Sequence, residues 1–311
     1  MASAELHRRS TGARVAVTGA SGFLGSALAS RLGREGVEII RVRRAASVFP
    51  PDIAWDPRSG VLPVESFEGI DAVVHLAGEP IARRWTDARK RAILDSRVQS
   101  TSLLGRALAT LREPPRVLLS GSAIGFYGDR GADELDESSA PGSDFLAHTA
   151  VAWEAATEPA RAAGIRVVLL RTGIVLGAGG GALQKLLPLF RVGLGGRIGT
   201  GRQWMSWISL TDWLAAVRML LRVGDVDGPV NLVAPNPVPN LVFARTLARV
   251  LGRPAITRVP AWVVELALGE MGRATLLASQ RVHPRRLMNF GFEFGCPTLE
   301  QALRSELAAG R

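Results

Sequence analysis

From Arg14 onward, short β-branched apolar runs alternate with longer stretches in which leucine and alanine recur every three or four positions. The runs Arg14–Thr18 (RVAVT), Val37–Val42 (VEIIRV), Asp71–Leu76 (DAVVHL), Arg116–Ser120 (RVLLS), Arg166–Arg171 (RVVLLR) and Val230–Val233 read as strands. Between the first two, Leu24, Leu28 and Leu32 keep helical spacing until Gly36, and further helices are predicted over about Thr86–Leu111 and Phe145–Ala163. Continuous apolar strands alternating with helices predict an α/β fold, a doubly wound parallel sheet covered on both faces. After Gly177 the pattern changes. Glycine-rich 178–181 leads into an apolar segment to about Leu194, and a second flexible stretch spans Gly195–Gly201. Trp207–Leu210 followed by Thr211 and Asp212 predicts a strand entering an N-capped helix to about Val223. Pro235, Pro237 and Pro239 mark a boundary, and beyond it the helices near Leu241–Leu251, Trp262–Leu268 and Leu299–Leu307 predict a small, mostly helical C-terminal domain.

Composition narrows the partners. The 311 residues carry a net charge of +10, yet only two of the 38 basic residues are lysine, Lys90 and Lys185. The arginines are dispersed and only 6% of residues are aromatic, so a base-stacking platform is poorly supplied and no nucleic acid is expected as partner. The single cysteine, Cys296, permits no intramolecular disulfide and fits a reducing, cytoplasmic setting. His7, His75, His148 and His283 lack ligand spacing, so no metal is expected. No apolar run approaches the roughly 20 residues of a membrane span, and the N-terminus lacks the apolar core of a secretory signal.

Gly19-Ala-Ser21-Gly22-Phe23-Leu24-Gly25 places three glycines, three apart, between the first strand and the first helix. Glycine serves the tight turn, the close approach of backbone to pyrophosphate, and the packing of helix on strand. The helix N-terminus then offers free N–H groups to phosphate. Where an NAD site usually carries an acid at the end of the second strand, this chain has Arg43 and Arg44. Arginines there suit a 2′-phosphate, so NADP(H) is preferred over NAD(H), unless an arginine-rich chain has placed them there by accident.

These residues resemble the extended short-chain dehydrogenase/reductase superfamily, whose phosphate loop reads T-G-x-x-G-F-L-G. His75-Leu76-Ala77-Gly78 resembles its H-x-A-G signature, and Ser120–Gly128 its S-S-x-x-V-Y-G segment with one extra residue. More narrowly, Arg83–Thr86, Asp95–Val98, Asp144–Leu146, Trp153-Glu154, Arg171–Gly177, Gly201–Ile208, Gln280–Leu287 and Gly291–Gly295 resemble its "epimerase family" branch, which ends in a small uncharacterised domain. The resemblance implies a Rossmann-type NAD(P)-binding domain over 13–235, with 178–207 as an excursion toward the substrate side. Residues 236–311 would be a C-terminal substrate domain and 1–12 a disordered extension. The cofactor site would comprise Gly19, Ser21, Gly22, Phe23, Leu24, Gly25, Arg43, Arg44, His75, Leu76, Ala77, Gly78, Arg97 and Ser120. A homodimer is implied by the same analogy.

The pattern breaks at the chemistry. The superfamily uses Tyr-x-x-x-Lys, in which the lysine lowers the tyrosine pKa. Here the only tyrosine, Tyr127, is followed four residues on by Gly131, and Lys90 and Lys185 are preceded by Thr86 and Gly181. By register with Glu154, the missing pair falls near Leu146 and Ala150. Ser122 remains as a hydrogen-bond donor to substrate, and His148 is either a proton donor or an ordinary helix residue. Tyr127, Arg97, Arg202, Gln203 and Trp207 are expected to bind substrate, with 195–201 as a flap anchored by Arg202. Arg97 suits an anionic substrate or a phosphate, or else an i,i+4 surface pair. Glu79 is a further acid near the cofactor mouth, while Trp153 and Trp262 are expected in the core. Two functions fit: an NADP(H)-dependent epimerase or oxidoreductase acting on a small, anionic, carbonyl or sugar-type substrate, and a cofactor-binding regulatory protein without turnover.

Overall fold

The computed structural model describes residues 12–45 and 47–309, so the expected disordered extension lies, apart from Gly12, outside the described residues. Seven strands form one wholly parallel sheet: β1 (Arg14–Thr18), β2 (Glu38–Arg44), β3 (Ile53–Trp55), β4 (Ala72–His75), β5 (Val117–Ala123), β6 (Arg166–Thr172) and β7 (Gly228–Leu232). Their order is β7-β6-β5-β4-β1-β2-β3. The chain thus winds outward from β1 in both directions, and the seam between β1 and β4 is where a crevice opens at the strands' carboxyl ends. β3 has too few residues to show a period, so the pattern of the sequence misses it.

The longer helices and the short one after α3 build the layers: α1 (Phe23–Arg34), α2 (Asp87–Ala109), α3 (Phe145–Ala155), α4 (Glu158–Ala162), α5 (Gly181–Arg191), α6 (Leu210–Arg222), α7 (Asn240–Leu251), α8 (Ala261–Leu268) and α9 (Leu299–Ala309). Alternate strand residues feed opposite cores, as the pleat requires. Val15, Val17, Val74, Leu119, Val168 and Leu170 pack with Leu28 and Leu32 of α1 and Trp213, Val217 and Leu220 of α6. Their neighbours Ala16, Val73, Leu118, Val167 and Leu169 pack with Leu104 and Leu108 of α2 and Ala160 of α4. The expected single helix over 145–163 is broken into α3 and α4, with Pro159 in the first turn of the second. The cap of α6 is Ser209, two positions before Thr211, and its hydroxyl accepts from the Asp212 N–H at 2.9 Å.

A third core joins the 178–207 excursion to the C-terminal region. Leu183, Leu187 and Phe190 of α5 and Trp207 share it with Phe243 and Leu247 of α7 and Leu299 and Leu303 of α9. The stretch expected as a flexible flap is tied down. Residues 196–198 pair in parallel with 257–259, Asn240 Oδ1 accepts from the Ile198 N–H at 2.8 Å, and Gln203 Nε2 donates to the carbonyls of Ile198 and Leu276 at 3.1 and 3.0 Å. Glycines 177, 180 and 181 crowd the ring of Phe23 instead of forming a loose loop; a Cβ on Gly180 would lie 2.3 Å from that ring. Trp262, expected in the core, is 66% exposed. Among the described residues no helix is long and apolar enough to cross a membrane.

Because α9 completes a core begun at Leu183, Leu303→Ala is expected to cost about 2–5 kcal/mol. Urea unfolding followed by both far-ultraviolet circular dichroism and tryptophan fluorescence should still show one transition, and separate transitions would mean that the C-terminal region folds by itself.

Candidate functional site

At the β1–α1 junction each glycine of the triplet has a distinct steric reason. Gly19 has φ +68°, and a Cβ there would lie 2.8 Å from the Leu76 carbonyl carbon and oxygen. A Cβ on Gly25 would lie 2.3 Å from the Gly19 carbonyl oxygen, so the first turn of α1 sits directly on the loop. Gly22 caps α1 without a side chain to satisfy the first N–H groups, which leaves the positive end of the helix open to an anion. A cleft of about 710 Å³ opens here. Gly19, Ser21 and Gly22 form its middle, Arg43, Arg44, Trp55 and Arg58 one end, Leu76, Ala77, Gly78 and Glu79 the side toward β4, and α2 its far wall. A pyrophosphate-linked dinucleotide fits this cradle: its phosphates would meet the open N-terminus of α1.

Beneath the cleft floor runs a buried chain of hydrogen bonds. The Thr18 hydroxyl oxygen accepts from the N–H groups of Leu76 and Ala77, both at 3.1 Å. Its one hydrogen is therefore directed to His75 Nδ1 at 2.7 Å. That makes Nδ1 an acceptor and puts the ring proton on Nε2, which faces Ser100 Oγ at 3.2 Å, while Ser100 donates to the Ser96 carbonyl at 2.6 Å. Burial pushes the His75 pKa down to about 4, so the ring is neutral. His75 and Ser120 both lie wholly buried, under the cleft and not in it. Phe23 and Leu24 turn their side chains to the core, so only their backbone faces the cleft region.

A second polar network fills the carboxyl ends of β5 and β6. Ser122 donates to Glu154 Oε1 at 2.6 Å, and Glu154 also grips Arg171 through two bonds of 2.8 Å. Arg171 donates to the Tyr127 hydroxyl at 3.1 Å and lies 3.4 Å from the Phe126 ring centre. Tyr127 donates to Asn231 Oδ1 at 2.7 Å, and Glu137 accepts from the Asn231 N–H at 3.0 Å. Burial alone would lower the Arg171 pKa, but the Glu154 contact outweighs it and the net shift is upward. Burial pushes Tyr127 up to about 12, with Arg171 opposing, so the phenol stays protonated.

Several expected substrate ligands are therefore elsewhere. Tyr127 is 0% exposed and belongs to this inner network. Trp207 is likewise fully buried, its indole N–H donating to the Asn236 carbonyl at 3.1 Å, and Gln203 is spent on backbone carbonyls. Trp207 and Gln203 read as pocket residues from their neighbours, but an apolar ring and an amide serve the core and the loop equally well. Arg202 and His148 are exposed, and Leu146 and Ala150 hold the missing pair's positions as apolar side chains. Ser122 keeps its place at the end of β5, with its proton turned inward. Glu79 lines the cleft and pairs with Arg89 at 2.8 Å. Arg97 is no surface ion pair: its guanidinium lies under Gly78, donates to the carbonyls of Glu79 and Ile93 at 3.1 and 3.0 Å, and stacks 5.0 Å from the Trp153 ring. Sequence reasoning missed Thr18 as a hub, together with Trp55, Arg58, Glu137, Glu154 and Asn231. Of these, Thr18 carried a signal as the residue opening the glycine loop, and Glu154 as part of the Trp153-Glu154 pair. Among the described residues, no three His, Cys, Asp or Glu side chains cluster to hold a metal.

The Gln280–Leu287 stretch also has a structural use. Gln280 Nε2 donates to the carbonyls of Ile124 and Gly128, both at 3.0 Å, and Ser206 Oγ bridges Gln280 and Val282. The tail thereby pins the loop after β5 against the excursion.

Residues 15–232 match the NAD dependent epimerase/dehydratase family, and residues 259–306 match a domain of unknown function, DUF1731. Epimerase family protein Mb2239 of Mycobacterium bovis is 41% identical over 290 residues, covering 93% of this chain and 96% of that protein. The crystal structure of human epimerase family protein SDR39U1 (isoform 2) with NADPH is similar at a TM-score of 0.86 and 35% identity, over 95% of this chain and 99% of that one. A nucleoside-diphosphate sugar epimerase from Corynebacterium glutamicum is similar at a TM-score of 0.80 and 35% identity, over 98% of this chain and 62% of that one.

His75 is held neutral, so its folded pKa of about 4 lies below its ordinary 6.5. Its contribution is present in full above pH 6.5 and is lost as the pH falls toward 4, on the order of 3 kcal/mol in all. Urea unfolding across this range should show a steeper acid loss for the wild type than for His75→Asn; parallel pH profiles would refute the buried neutral ring.

Proposed function

The chain belongs to the NAD dependent epimerase/dehydratase family, and on that footing we propose that it binds NADP(H) in preference to NAD(H) and acts on a small anionic substrate of carbonyl or sugar type. The end of β2 carries this reading. Arg43, Arg44 and Arg58 line the cleft there, while its two acidic lining residues, Glu79 and Asp95, follow β4 and lie on α2. A 2′-phosphate supplies the anion that three arginines favour, whereas a bare ribose needs an acceptor that this end does not line up. The NADPH in the human relative supports the same choice. A buried lone cysteine accords with the reducing, cytoplasmic setting proposed for it.

The cofactor supplies hydride chemistry when bound; the protein supplies position and proton handling. The backbone of Gly19–Gly25 would hold the pyrophosphate, and that of Leu76–Gly78 the half running toward β4. Ser122 has its hydrogen on Glu154, so its oxygen presents lone pairs. It is set to accept a hydrogen bond from a substrate hydroxyl and to pass a proton inward to Glu154, which Arg171 holds in place. The regulatory reading has its own support: Leu146 and Ala150 replace the missing pair, His148 points to solvent, and the Tyr127 phenol stays protonated.

Fluorescence titration with NADPH and NADH tests the cofactor assignment. Arg43→Glu is expected to weaken NADPH about tenfold or more and NADH far less; equal losses would overturn the NADP(H) preference. Hydride-transfer assays over carbonyl and sugar-nucleotide compounds separate the two readings. Turnover that Ser122→Ala abolishes while NADPH binding persists supports an enzyme, and NADPH binding without turnover on any compound supports the regulatory protein.

A further inference from the structure

Arg97 is a cation without a counter-ion. Among the described residues no carboxylate reaches ion-pair distance of it, and Glu79, the acid that bears on it, is already held by Arg89 at 2.8 Å. Its Nη1 is used on two backbone carbonyls, so the contacts that hold the group are neutral ones. A Cβ on Gly78 would lie 3.3–3.5 Å from the guanidinium, which means that glycine at this cleft-lining position is what lets the charge come so near. Burial pushes its pKa down to about 10, the signature of a charge partly withdrawn from water, yet it remains cationic at neutral pH. A charge partly withdrawn from water and left unpaired favours a neutral or anionic group beside it over a second cation.

The place of this charge is specific. Arg97 lies between Gly78, three residues past the end of β4, and Trp153 of α3, whose ring presses on Gly121 of β5. In a doubly wound sheet a dinucleotide spans the switch point, so with its 2′-phosphate end at β2 the nicotinamide half runs toward β4 and β5. The oxidised nicotinamide ring is positively charged and the reduced ring is neutral. A fixed, partly desolvated cation on that side therefore acts against one redox state only. The other charged residues on the α2 wall do less. Asp95 is exposed and stands two residues away on the helix, facing another direction, and exposed Arg91 is screened by water.

We propose that Arg97 makes the cleft discriminate between the redox states of its cofactor, holding NADPH more tightly than NADP⁺. This rests on the reading of the cleft as an NADP(H) site. It fits both functional readings, since an enzyme would be poised for reduction and a regulatory protein would report the reduced pool.

The experiment measures dissociation constants of the full chain for NADPH, NADP⁺ and 2′,5′-ADP, which contains only the adenosine half. The wild type should bind NADPH about tenfold more tightly than NADP⁺, equivalent to raising the bound couple's potential by about 30 mV. Arg97→Gln should bring that ratio close to one and leave 2′,5′-ADP unchanged, which also reports an intact fold. Arg97→Lys, keeping the charge, should retain most of the preference. A wild-type ratio near one, or a ratio that survives Arg97→Gln, overturns the proposal. So does an equal loss of both nicotinamide forms, which would make Arg97 a simple grip. Failure of the wild type to bind 2′,5′-ADP at all would instead overturn the NADP(H) reading beneath it.

Discussion

One hydroxyl sets the geometry on which the cleft depends. Thr18 ends β1, accepts two N–H groups from the chain leaving β4, and gives its only hydrogen to His75, which passes the sequence of bonds to α2. Two strands and a helix are thus fastened at the seam where the sheet changes direction. Because every hydrogen in the row has an acceptor and the His75 ring is neutral, the floor is rigid and uncharged. The charges that a ligand meets stand on the walls, with Arg43, Arg44 and Arg58 at one end and Glu79, Arg91 and Asp95 toward α2, while Arg97 lies behind Gly78.

How far the sequence reveals the molecule depends on the range of the interaction. The glycine triplet, the strand–helix alternation and the Arg43-Arg44 pair are local patterns and are realised as local structure. The inner network is not local. Tyr127 and Asn231 are 104 residues apart, Ser122 and Glu154 are 32 apart, and nothing near either partner announces the other. Tryptophans show the remaining ambiguity. An apolar ring with one N–H suits a core, a pocket wall or a surface, and only tertiary contacts decide that Trp207 is enclosed while Trp262 faces outward.

The counts of one tyrosine and two lysines remove the superfamily's usual proton-transfer pair, and the structure shows what occupies its ground. Leu146 packs with Trp85 and Phe145, and Ala150 joins Tyr127 and Phe126, so the wall of α3 facing β5 is apolar for two turns. One turn further, Glu154 collects Ser122 and Arg171. Polar character has moved inward along the helix. Arg171 is only 4% exposed, so its partner is obligatory: an isolated guanidinium at that depth would be far less favourable than the pair.

The core shared by α5, α7 and α9 has a consequence for synthesis. Phe190 and Trp207 emerge from the ribosome well before Leu299 and Leu303, which cover them. At roughly 5–20 residues per second that interval lasts on the order of 5–20 s. Once Leu232 is out, the seven-stranded sheet has all of its strands, yet the apolar face on α5 still lacks the cover of α9. The nascent chain therefore passes through a stage at which it is foldable and adhesive at once, and its yield in a cell depends on what shields that face until the last helix arrives.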